Sequence, residues 1–290
     1  MNKFVIVTDS STDLPNDVAV SLNLEVLPLK FIFGEDVFPN YLDNRSMDPK
    51  AFYDRIRQGE LPTTSQINVS DYEEALSPIL ESGKDVLILA FSSALSGTYN
   101  SARIAKEELE KKYPKRKIAL VDTKAASLGE GLIVYLAAQE ASKGKSLEEV
   151  FKYVETIKLN VAHWFTVNDI SHLKRGGRIS GVAAFVAKAI NINPVLHVDN
   201  EGRLISRMKV VGRKKAVMSL FHKMKETYDP SLSKTVFISH GDDLEQALHL
   251  KDMIEKELDA TVEIVNFVGP VIGAHSGPGT IALFFLATSR

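Results

Sequence analysis

The side chains of this chain best suited to chemistry sit in three neutral polar stretches. They are Pro62-Thr63-Thr64-Ser65-Gln66, Ser92-Ser93-Ala94-Leu95-Ser96-Gly97-Thr98-Tyr99, and Gly269 through His275 to Thr280. They offer hydroxyls, backbone N–H groups and one imidazole. Brought together they would suit a small anion such as a carboxylate, because such donors orient an anion without neutralising it. The second stretch follows an apolar run and opens a helical pattern, where free N–H groups and the helix dipole favour negative charge. Ser96, at the turn, reads equally well as an N-cap or as an anion ligand. It is not a G-x-S-x-G nucleophile, since Ala94 stands where the first glycine belongs. The third stretch carries four glycines and two prolines around His275, which implies a fixed, irregular backbone.

Two further stretches are candidates. Leu173 to Gly181 combines Arg175 and Arg178 with the pair Gly176-Gly177. The glycines would end a helix, and the arginines are either a solvated face or anion ligands. The following Val182 to Ile190 is apolar except for Lys188, as in a core helix or the wall of an apolar cavity. Asp9-Ser10-Ser11-Thr12-Asp13 ends the first apolar run. It reads as a helix cap or as part of a site at the carboxyl edge of a parallel sheet.

Several classes of chemistry are excluded. The chain has no cysteine, so thiolate catalysis and Cys-based metal sites are out. The histidines show no metal-ligand spacing, and no metal or cofactor is expected. Gly144-Lys145-Ser146 would close a P-loop only with glycine at Gln139. The glycines after Arg175 do not follow a strand, so they form no dinucleotide fingerprint. With 35 basic and 37 acidic residues, the chain lacks the basic excess of a nucleic-acid binder. An early charge and the absence of a long apolar run argue against a signal peptide or membrane insertion. A cytoplasmic protein is expected.

The elements that position these residues follow from hydrophobic patterning. Phe4 to Val7, Val86 to Phe91 and Ile118 to Val121 are unbroken apolar runs, as in parallel strands buried on both faces. Helical patterns cover Asp48 to Arg57, Val69 to Leu80, Thr98 to Lys112 and Gly129 to Ala141, and another runs from Ser146 to about Leu159. This predicts a doubly wound, mainly parallel α/β domain over 1–160. In 161–290, Pro194 to Val198 and Arg203 to Val211 flank the turn Asp199-Asn200-Glu201-Gly202, a hairpin signal. Strands at Thr235 to Ser239, Thr261 to Phe267 and Thr280 to Thr288 alternate with helices at Val217 to Tyr228 and Leu244 to Leu258. This predicts a second domain with a mixed or antiparallel α+β sheet.

Taken in order, the motifs resemble the DegV family of bacterial fatty-acid-binding proteins, and in particular the lipid-carrying subunits of fatty acid kinases. The match rests on Asp9-Ser10 with Asp13-Leu14, Thr64-Ser65-Gln66, Ser92 to Tyr99, Leu173 to Ser180, and Gly269-Pro270 through His275 to Gly279-Thr280. The resemblance implies two α/β domains with a long-chain fatty acid at their interface. It implies a carboxylate bound by Thr64 and Ser96 with Ser65 and Gly97 beside them, and Arg175 or Arg178 together with His275 assisting phosphotransfer near the head group. The partner it implies is a separate ATP-binding kinase subunit. Val211 departs from the pattern, since many relatives carry arginine there, in a region associated with kinase docking. Two rival readings remain: a serine hydrolase using Ser96 and His275, and a lipid sensor or storage protein without a kinase partner.

Overall fold

The computed structural model of the chain describes residues 4–179 and 192–290, so the Val182 to Ile190 stretch lies outside the described residues. The strands are β1 (Phe4–Asp9), β2 (Glu25–Leu27), β3 (Lys30–Phe33), β4 (Asp36–Pro39), β5 (Thr63–Ser65), β6 (Asp85–Ala90), β7 (Ile118–Asp122), β8 (Val161–Thr166), β9 (Ile192–Val198), β10 (Leu204–Val211), β11 (Thr235–His240), β12 (Thr261–Phe267) and β13 (Ile281–Leu286). The helices are α1 (Asn16–Ser21), α2 (Pro49–Arg57), α3 (Val69–Glu81), α4 (Thr98–Lys112), α5 (Leu128–Ser142), α6 (Leu147–Ile157), α7 (Ser171–Arg175), α8 (Arg213–Thr227), α9 (Leu244–Glu257) and α10 (Pro270–Ser276).

Three sheets organise them. The first runs β2-β1-β6-β7 and is parallel throughout. Its β6 is almost wholly buried, as an unbroken apolar run requires. The second runs β10-β9-β8-β13-β11-β12; only β11 and β12 pair in parallel. The α/β class with one parallel and one mixed sheet is therefore as the patterning predicts. The third, antiparallel and ordered β4-β3-β5, was not foreseen.

Helix α5 joins the layers. Leu128, Leu132, Ile133, Val134, Leu136 and Ala137 are all buried, and a helix apolar on every side belongs inside a core. One hydrophobic cluster contains these residues together with Ile6 and Leu89 of the parallel sheet and Phe165, Phe237 and Phe284 of the mixed sheet. Polar ties reinforce the contact. Asn266 Nδ2 donates to the Asp13 carbonyl at 2.8 Å, and Tyr53 OH donates to that of Val268 at 2.7 Å. Arg57 pairs with Asp242 at 2.6 Å.

Two local expectations need correction. Pro62 to Gln66 reads as a loop between helices, yet Thr63–Ser65 is a strand in register with β3, Thr64 facing Phe31. Tertiary pairing overrides its polar composition. Gly269 to Thr280 reads as irregular, yet Pro270–Ser276 is a helix with proline in its first turn. Its internal Gly273 answers to close packing, because a Cβ there would lie 2.6 Å from the Tyr53 hydroxyl and 2.9 Å from the Phe52 ring. Among the described residues, no helix is long and apolar enough to cross a membrane.

Candidate functional site

The three polar stretches converge on one cavity. Thr64 arrives on β5, Ser96 and Gly97 at the start of α4, and His275 in the last turn of α10. Thr64, Ser65, Gln66, Ser96, Gly97, Arg178 and His275 all line it. Arg175, by contrast, is exposed at the end of α7 and does not line it. The turn between the two arginines accounts for the difference. Gly177 adopts φ 67°, which redirects the chain after α7. Arg178 then turns inward, its Nε donating to the Leu95 carbonyl at 3.1 Å and its Nη1 to the Gly176 carbonyl at 2.5 Å.

The polar end is internally bonded. Thr64 Oγ1 and His275 Nε2 are 2.8 Å apart. A Cβ on Gly176 would collide with the His275 ring, so glycine there lets α7 close over the imidazole. Ser96 Oγ accepts from the Thr98 N–H at 3.2 Å and lies 2.9 Å from Thr98 Oγ1. The N-cap position of α4 is Gly97, which has no side-chain cap bond, so Ser96 closes a local turn just before the helix and also lines the cavity. Among the described residues Ser96 and His275 share no hydrogen bond, so the nucleophile–base contact of a serine hydrolase is not made. Burial, followed by the nearby Arg178 charge, lowers the His275 pKa to about 4. The ring is neutral at pH 7, and an anion beside it would raise that pKa.

Beyond this end the walls are apolar. Phe91, Leu95, Phe165, Val198, Leu204, Ile272, Ala282 and Phe284 line the interior. The final strand, β13, thus forms part of the wall. Also among these walls are the buried serines Ser127 and Ser239, which the sequence did not single out, and Ser276 of the third polar stretch. Ser127 precedes an apolar helix and reads as a cap, yet it makes no side-chain cap bond. Its hydroxyl instead donates to Asp13 Oδ2 at 2.5 Å.

Asp13 belongs to a buried acidic group with Asp9 and Glu130. Burial pushes all three carboxyls up, Asp13 to about 8. A carboxyl whose folded pKa is raised binds more protons folded than unfolded, so its contribution to stability is full below about pH 4 and is lost as pH rises to about 8. The buried histidines act oppositely, but only below their ordinary value of about 6.5. Between about pH 6.5 and 8 the acids therefore dominate. Through Asp13, wild-type stability is expected to fall by up to about 1.4 kcal/mol per pH unit there. Asp13→Asn should flatten that slope in urea unfolding measured at several pH values. An unchanged slope would contradict the assignment.

The comparisons with known proteins accord with this geometry. A family model described as uncharacterised protein, DegV family, matches residues 3–288. A DegV domain-containing protein of Clostridium perfringens is 43% identical over 290 residues, covering 100% of this chain and 99% of the relative. A DegV family protein from Thermus thermophilus, whose structure is described for its fatty acid binding, superposes with TM-score 0.87 at 32% identity, covering 99% of this chain and 100% of that one. A stearic acid-binding protein from Eubacterium ventriosum gives TM-score 0.87 at 25% identity, with 98% of both chains covered. With the full-length family match, the full-length relative and the close superposition all in agreement, the chain belongs to the DegV family.

Proposed function

We propose that this protein is a cytoplasmic carrier of a long-chain fatty acid that presents the carboxylate to a separate ATP-dependent fatty acid kinase subunit for acyl phosphate formation. One observation carries the reading: a largely apolar cavity closes at one end on the hydroxyls of Thr64, Ser65 and Ser96, the His275 imidazole and the Arg178 guanidinium. The acyl chain lies between two domains, 1–160 and 161–290. About fourteen buried methylenes would contribute on the order of 11 kcal/mol before ordering costs. Thr64 and Ser96 orient the head group with Ser65 and Gly97 beside them, and each charge-assisted hydrogen bond adds roughly 1.5–3 kcal/mol. Neutral donors leave the carboxylate nucleophilic. Arg178 and His275 then stabilise charge as the phosphoryl group transfers.

The division of labour is tested by loading the protein with a fatty acid and adding ATP, with and without the ATP-binding kinase subunit of the same organism. Acyl phosphate should form only with the kinase. Formation by this chain alone, or with neither arrangement, contradicts the proposal. The two arginines separate in the same assay. Arg178→Ala should lower fatty acid affinity or acyl phosphate formation about tenfold or more, whereas exposed Arg175→Ala should change either by less than about twofold. Equal effects would overturn the choice of Arg178.

A further inference from the structure

We propose that the interior of the cavity holds a second polar station, centred on Ser239 and Ser276, that takes a hydroxyl group carried on the acyl chain. The inference rests on the carrier reading, since it concerns what the same cavity admits.

The station is built rather than incidental. Ser127, Ser239 and Ser276 line the cavity at 5%, 0% and 5% exposure. Ser127 is held at φ 54° and Asp13 at φ 53°, a region that non-glycine residues occupy at a cost. These two strained residues are bonded to each other, Ser127 Oγ donating to Asp13 Oδ2. Ser127 Oγ also lies 3.0 Å from Ser239 Oγ. Asp13, whose carboxyl is raised to about 8 by burial, can hold its own proton, so either serine can donate in that contact. In both arrangements Ser239 Oγ keeps a free lone pair, and so acceptor capacity, for a ligand.

Ser276 supplies the complement. Its hydroxyl is buried and has no hydrogen-bond partner among the described residues. Such a group is expensive unless something satisfies it. Its carbonyl accepts from Thr280 Oγ1 at 3.1 Å, which ties it to the start of β13, and β13 places Ala282 opposite Ser239. The unpaired donor and the spare acceptor therefore belong to adjoining parts of one wall. A plain methylene chain satisfies neither. A secondary alcohol both donates and accepts. It can donate to Ser239 Oγ and accept from Ser276 Oγ, which a keto oxygen cannot do. The ligand class is thus a long-chain hydroxy fatty acid.

Competition binding to the full chain tests this, comparing stearic acid with monohydroxystearic acids that carry the hydroxyl at successive positions. At least one isomer is expected to bind as tightly as stearic acid or tighter. Ser239→Ala should reduce that isomer's affinity relative to stearic acid about tenfold, and Ser276→Ala should reduce the same ratio. Stearic acid binding by each variant serves as the check on folding. If every isomer binds more weakly than stearic acid, or neither substitution moves the ratio, the station is a filler of ordered water or an internal strut and the proposal is wrong. If stearic acid and all isomers fail to bind the wild type, the carrier reading falls with it.

Discussion

Ala282→Phe is expected to weaken stearic acid binding by about three to four orders of magnitude while leaving an eight-carbon acid far less affected. Ala282 lies on β13 in register with Phe165 of β8 on one side and Ser239 of β11 on the other, and it faces the cavity. It is buried, so a phenyl ring there can only project into the space assigned to the acyl chain. Excluding about six methylenes forfeits ~5 kcal/mol at ~0.8 kcal/mol each, and each 1.4 kcal/mol is about tenfold in affinity. Titration calorimetry with acids of increasing length would show the loss growing with chain length. A urea midpoint close to wild type would confirm that the core accepts the ring. Undiminished stearic acid affinity would mean that the tail lies elsewhere.

The double substitution Thr64→Ala with Ser96→Ala should lower affinity for the free acid by on the order of a hundredfold or more, from two charge-assisted hydrogen bonds at roughly 1.5–3 kcal/mol each. The methyl ester of the same acid isolates the head group. It keeps the tail but not the charge, so its affinity should fall much less. The fold should survive. Ser96 Oγ also accepts from the Thr98 N–H, and losing one such hydrogen bond costs about 1 kcal/mol, within the margin of a stable domain. Thr64 contacts His275, so the substitution also frees the ring, and the loss belongs to the pair rather than to either hydroxyl alone. Equal losses for acid and ester would show that the hydroxyls support the cavity instead of holding the carboxylate.

Ser96 was legible in the sequence because it stands in a polar stretch after an apolar run, where a helix start must fall, whereas Thr64 was singled out by its polar stretch and the family resemblance. Parallel strands β1, β6 and β7 were legible as unbroken apolar runs, as was the hairpin at Asp199 to Gly202, whereas the short edge strand β2 was not. Other features were not. Thr63–Ser65 has no apolar period, and only its partner β3 makes it a strand. The glycines of Gly269 to Thr280 disguise α10, since a glycine required by a neighbouring ring looks like one required by a turn. Strand β8 was missed although all six residues are buried, because His163 interrupts its apolar run. The choice between Arg175 and Arg178 turns on one left-handed residue, Gly177, which spacing alone does not reveal. Ser127 signals only a helix cap, and nothing local marks Ser239. Their bond joins residues 112 positions apart, so only the folded arrangement brings them together.

The most direct test of the carrier reading is native mass spectrometry of freshly purified protein, followed by solvent extraction of whatever it holds. A stoichiometric adduct that releases a long-chain fatty acid is expected. A bare mass that stays bare after incubation with a panel of long-chain fatty acids would contradict it.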